Sequence, residues 1–208
     1  MAMSVVGLGS ANAAPPLPSL DAAIFAKQPA RLNNGITGEI VRFPSHSPKE
    51  WTELLGGRRG APIDLTAQIF RPNAVSKKSP AIILVPGSGG LAPHHLRQAD
   101  ALTGAGFVVM LIDPFEGRGL GGTVADQGRL SWPASTYDVA AAFRYLITRR
   151  DIDLEAIGAV GSSRGGTAVL MAAGCLAKIA ASSEGSGGAA FAEPSPTTDI
   201  ATSANLRM

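Results

Sequence analysis

The sequence predicts an α/β fold built on a mostly parallel sheet with helices on both faces, and three observations predict it. Two short runs, Ala81 to Val85 (AIILV) and Phe107 to Ile112 (FVVMLI), are continuously apolar, the signature of strands buried on both faces. A third run, Ile157 to Val160, stops at Gly161 and gives way at once to a helical stretch of Ala, Val, Leu and Met. Helical segments separate these strands, from about His95 to Ala105 and from about Ser135 to Arg149. Strands that alternate with helices in this way pair in parallel through crossovers.

In 208 residues, 45% hydrophobic and only 16% charged, there is enough apolar material for one sizeable core. The net charge of +2 is spread out, and the basic pairs Arg58-Arg59, Lys77-Lys78 and Arg149-Arg150 are isolated, so nucleic acid is not an expected partner. No apolar stretch reaches the roughly 18 residues of a membrane span. Cys175, the one cysteine, reads as a small apolar side chain on the helix after Gly161 and is silent about compartment.

Residues 1–30 read as a leader. Val5 to Leu8 followed by Ala11-Asn12-Ala13 fits the end of a secretory signal with an A-x-A cleavage site, its charged front half missing. If it is a signal, the destination is periplasmic or secreted, and otherwise cytoplasmic. From 31 to 177 the chain reads as one domain. Gly38 to Phe43 and Ile63 to Phe70 are partly alternating runs bounded by Gly or Pro, expected as antiparallel edge strands, with Trp51 to Arg59 between them as a loop or a turn of helix. Residues 178–208 are mostly Ala, Ser, Thr, Gly and Pro with no strand-like run and read as an irregular tail. The chain is expected to be cut short, or read out of frame, soon after Cys175.

Chemistry concentrates at Gly161-Ser162-Ser163-Arg164-Gly165, a G-x-S-x-G sequence at a strand-to-helix turn. Such a turn forces its central residue into a strained backbone conformation and presents it at the carboxyl end of the sheet, so Ser163 is the candidate nucleophile. Gly166 allows the helix to pack closely on the strand. The loops after Val85 and Ile112 should face the same site. Pro86-Gly87-Ser88-Gly89-Gly90 brings main chain close to it, and the backbone N–H groups of Ser88 and Arg164 are the candidate oxyanion hole. A structural turn with no ligand role is the competing reading of each motif. Gly117-x-Gly119-x-x-Gly122 matches a dinucleotide fingerprint in letters only, because no helix follows it. Asp113 ends its strand and is placed to orient Arg118.

In this order and spacing, VPGSGGLAPHH, GFVVMLIDPFEGRG and DIDLEAIGAVGSSRGG resemble the dienelactone hydrolase branch of the α/β-hydrolases over about residues 31–177. The resemblance implies an α/β-hydrolase fold truncated after the nucleophile helix, and a general serine esterase, since dienelactone hydrolases proper carry a cysteine where Ser163 stands. It implies hydrolysis of a small-molecule carboxylic ester or related acyl bond through an acyl-serine, with no metal and no organic cofactor. That fold places an acid and then a histidine after the serine. Here only Glu184, Glu193 and Asp199 follow, and no histidine. His94 and His95 read mainly as helix-start or surface residues, with supply of a base from the wrong side of Ser163 as the minor alternative, and His46 as an early-loop residue without a role. The alternative is a non-catalytic fragment on a hydrolase scaffold.

Overall fold

The computed structural model describes residues 21–73 and 78–181. The signal-like motif and the acids at 184, 193 and 199 therefore lie outside the described residues, as does all of the tail beyond Ala181. Five strands form one sheet in the order β1-β2-β4-β3-β5: β1 (Glu39–Ser47), β2 (Ala61–Phe70), β3 (Ser79–Val85), β4 (Val108–Asp113) and β5 (Ile152–Gly161). β1 and β2 are antiparallel, as are β2 and β4, while β3 pairs in parallel with both β4 and β5. Strand order thus reverses at β3: the chain leaves it for β4 on one side and later returns to add β5 on the other. A crevice opens at the carboxyl end of such a strand.

Alternation along the buried strands assigns the two faces. Ala81, Ile83 and Val85 of β3, with Val108, Met110 and Ile112 of β4, face α4 (Trp132–Ile147) and α5 (Arg164–Ala181). Leu84, Val109 and Leu111 face the other way, toward α1 (Ala22–Phe25) and α3 (Pro93–Gly104) through Phe25, Leu96 and Ala99. The run Ala140-Ala141-Ala142 on α4 is wholly buried, and its small side chains let that helix lie close to the sheet. Among the described residues no helix is long and apolar enough to cross a membrane.

Several boundaries move for identifiable reasons. β1 runs on through Pro44 to Ser47, which an edge strand tolerates because one side of its backbone needs no partner. α4 starts at Trp132 instead of 135, since Ser131 caps the Ala134 N–H at 3.1 Å and Pro133 fits a first turn. The 51–59 segment contains α2 (Trp51–Leu55), and the elbow strand begins at Ile152, ahead of the apolar run. Residues 21–30, read as the end of a leader, are packed. Phe25 is buried, and the side chain of Gln68 on β2 accepts the Ala30 N–H at 2.7 Å and donates to the Phe25 carbonyl at 2.7 Å. At the other end α5 continues past Lys178 to Ala181.

A buried ion pair ties the sheet to α4. Arg118, in the turn after β4, donates to both carboxylate oxygens of Asp138 on α4 at 2.8 and 2.9 Å. Its remaining donors reach the Pro114 carbonyl and the Ser47 hydroxyl, and the Ser45 hydroxyl donates to Asp138 at 2.6 Å. Asp113 is not the partner of Arg118. The acid that neutralises the guanidinium comes from the helix above it, and the Asp113 carboxylate is occupied by its own following turn. His46 lies on β1, not in a loop, with its ring edge-on to Tyr137 at 5.4 Å. Because the Asp138 side chain is 1% exposed, Asp138→Ala leaves a cation buried without its counter-charge. We expect a loss of about 3–5 kcal/mol in unfolding free energy, read by urea denaturation.

Candidate functional site

Ser163 sits between the end of β5 and the start of α5 with φ of 49°, and it is the one non-glycine residue with positive φ among those described. Its side chain is exposed. The glycines on either side explain how so tight a turn forms. A Cβ at Gly161 would collide with the main chain of Gly165, and one at Gly165 with the Val85 and Pro86 carbonyl oxygens. A Cβ at Gly166 would lie 2.9 Å from the Gly161 oxygen. The start of α5 therefore rests directly on the ends of β5 and β3, backbone on backbone. On the β3 side the Pro86–Gly90 loop comes up against the serine, such that a Cβ at Gly87 would be 3.4 Å from the Ser163 Cβ.

The two amides singled out as an oxyanion hole belong to residues on either side of this contact. Arg164 is the first residue of α5, where a backbone N–H has no intrahelical acceptor. The residue is 2% exposed, and its side chain turns back toward the segment before α4. The guanidinium donates to the Gln127 carbonyl at 2.7 Å, the Gln127 side-chain oxygen at 3.0 Å, the Leu130 carbonyl at 2.9 Å and the Ser135 hydroxyl at 3.0 Å, and lies 4.1 Å from the centre of the Trp132 ring. None of these partners is a carboxylate, and burial holds the Arg164 pKa below its ordinary value. Ser88 accepts the Thr123 N–H on its carbonyl at 2.7 Å. Gly122, whose Cβ would press on that same carbonyl, and Gly117, packed on the Asp64 carbonyl, show what the G-x-G-x-x-G glycines are for. They seat a loop, and only a short 3-10 turn at Gln127–Arg129 follows them.

Asp113 closes β4 at the same end of the sheet. Its Oδ1 accepts the N–H groups of Phe115 at 2.9 Å and Glu116 at 3.2 Å, while Oδ2 is buried without a partner. Burial pushes this carboxyl up to about 6 from an ordinary 3.8, against the pull of the two backbone hydrogen bonds.

Among the described residues the Ser163 hydroxyl makes no hydrogen bond to a base. His95, read as a helix-start or surface residue, lies in the first turn of α3 and is buried there, its ring folded back over the chain: Nδ1 accepts the Ala92 N–H at 3.0 Å. Burial and the neighbouring His94 ring, 3.9 Å away, lower its pKa to about 4. With Nδ1 accepting in that cap, Nε2 carries the proton; it is buried without a partner, and neither ring nitrogen bonds Ser163. No group of three His, Cys, Asp or Glu among the described residues has the arrangement of a metal site. Sequence reading missed Gln127, whose contacts with Ser88 and Arg164 span nearly forty positions and leave no local signal.

Residues 94–180 match the prolyl oligopeptidase family model. No curated protein matches the chain. Among solved structures it is similar to the esterase Est22 (19% identity over 70% of this chain and 40% of that one, TM-score 0.51). It is also similar to a dienelactone hydrolase-like promiscuous phosphotriesterase from metagenomic libraries (18%, 65% and 54%, TM-score 0.44) and to Est1E from Butyrivibrio proteoclasticus, solved with ferulic acid (21%, 56% and 46%, TM-score 0.47). The chain thus spans roughly half the length of these neighbours or less. At such identities the likeness is one of fold, and the fold is that of the α/β-hydrolases.

Two outcomes follow from the geometry. Ser163→Gly relieves a left-handed side-chain-bearing residue and is expected to raise unfolding free energy by about 1 kcal/mol, whereas Ser163→Ala, which keeps the Cβ, leaves it unchanged within about 0.5 kcal/mol. For Asp113 the folded pKa is the raised one. The stability gained by protonation is complete below about pH 3.8 and is lost as pH rises through about 6. Ionised Asp113 then costs about 3 kcal/mol at pH 7 relative to its neutral form. Asp113→Asn should remove this slope, measured as urea midpoints across that window, and a slope unchanged by the substitution would assign it to another group.

Proposed function

We propose that the protein is a serine hydrolase of the carboxylic ester class, acting on a small-molecule ester through an acyl-Ser163 intermediate. The observation that carries the reading is the Ser163 φ of 49° at a strand-to-helix turn, with the side chain exposed and the Pro86–Gly90 loop against it. The esterase and dienelactone hydrolase-like names among the structural neighbours agree in class.

The reaction assigned to these residues runs in two halves. Ser163 Oγ adds to the ester carbonyl carbon as its proton leaves, and the carbonyl electron pair moves onto oxygen, where the Ser88 and Arg164 N–H groups receive the charge. Collapse re-forms the carbonyl and expels the alkoxide, which takes up a proton as the alcohol. Water then adds to the acyl-serine by the same path and releases the carboxylic acid. Catalysis needs a base for the serine proton, and the described residues offer none within hydrogen-bond reach of it. That observation favours a second reading, a non-catalytic protein on a hydrolase scaffold.

An activated ester separates the two, since its leaving group needs no protonation. The 208-residue chain incubated with p-nitrophenyl acetate should accumulate acetyl on Ser163, located by mass spectrometry of the digested protein, and Ser163→Ala should show none. Without a base, turnover is expected on the order of a millionfold below that of a complete triad enzyme. Absence of acetyl-Ser163 after prolonged incubation would leave the scaffold reading standing.

A further inference from the structure

We propose that Gln127 is a positioning residue for the oxyanion hole, because a single oxygen of its side chain ties together the two residues that supply the hole's N–H groups. The proposal rests on the reading of Ser163, Ser88 and Arg164 given above. Gln127 Oε1 accepts from the Ser88 hydroxyl at 2.9 Å and from Arg164 Nη2 at 3.0 Å and Nε at 3.3 Å. Arginine has only donors, so the amide oxygen and not the nitrogen must face it, and the Ser88 hydroxyl must then be the donor in its own bond.

The need for such a tie follows from the loop that carries Ser88. Gly87, Gly89 and Gly90 flank it, and glycine gives the main chain freedom that an oxyanion hole cannot allow, since donors must converge within a few tenths of an ångström on one point. Ser88 is fixed twice. Its carbonyl is held by the Thr123 N–H and its hydroxyl by Gln127, both from the segment between β4 and α4. That segment is itself fastened to the elbow, because Arg164 also grips the Gln127 and Leu130 carbonyls. The spacing between the two amides is therefore set through Gln127 as well as through the sheet.

The test uses the full chain and p-nitrophenyl acetate, reading the rate of Ser163 acylation alongside amide hydrogen exchange of residues 87–90. Gln127→Ala should lower the acylation rate about tenfold at saturation, with KM within about twofold, and speed exchange in the loop. Gln127→Glu, which offers acceptors to the same donors, should restore most of the rate. Ser88→Ala cuts one arm of the tie and should cost about threefold, and the double variant should be no slower than Gln127→Ala alone. Exchange unchanged in Gln127→Ala overturns the proposal whatever the activity, and faster exchange with an unchanged rate overturns the link to the oxyanion hole. Should Gln127→Ala fail to fold, Ser88→Ala decides by the same two readouts. Wild-type protein that never acylates Ser163 refutes the hydrolase reading instead, and the exchange arm still reports whether Gln127 fixes the loop.

Discussion

The contact on which this structure depends is one between bare backbones. Where β5 turns into α5, Gly161 and Gly165 meet each other, and Gly165 lies on the carbonyls that end β3. No side chain fits between them, so the helix starts within van der Waals reach of the sheet and the serine is squeezed into a left-handed conformation. The strand order adds the second half of the constraint. Since β3 has β4 on one side and β5 on the other, the loops following all three open at one place.

Two buried arginines hold that place together by opposite means. Arg118 is matched by a carboxylate, in a bidentate pair that joins β1, the turn after β4 and α4. Arg164 is matched by carbonyls, a hydroxyl, an amide and an aromatic face. The first arrangement is sensitive to loss of its counter-charge, and the second distributes the charge over many partial ones, each individually modest. By contrast the Glu39, Arg71, Arg149 and Asp151 cluster is partly exposed, so water screens each of its ion pairs and each is individually modest.

Much of this was legible in the sequence. AIILV and FVVMLI could hardly be anything but buried strands, and G-x-S-x-G between an apolar run and a helical one identified the turn at Ser163, because both signals are local. What escaped was non-local or masked by a local rule. Asp113 and Arg118 are close in sequence, which suggested a pair, yet the partner is Asp138, whose position on a run of Val and Ala was itself a clue that a buried charge needed matching. The helix expected from about Ser135 starts at Trp132, with Pro133 in its first turn. Gln127 lies in a stretch without periodicity, and nothing in its neighbours' identities hints at Ser88 or Arg164.

The placing of Arg164 has one more consequence, for the electrical potential at the elbow. A helix N-terminus already carries roughly half a positive charge from its aligned peptides, and a cation there is ordinarily disfavoured. Here the first helical residue is a cation, buried away from the water that would screen it and without a carboxylate to cancel it. Its carbonyl partners lower the local field but leave the net charge intact. Two sources of the same sign therefore belong to the start of α5, directly after Ser163, and both favour negative charge at that end of the helix.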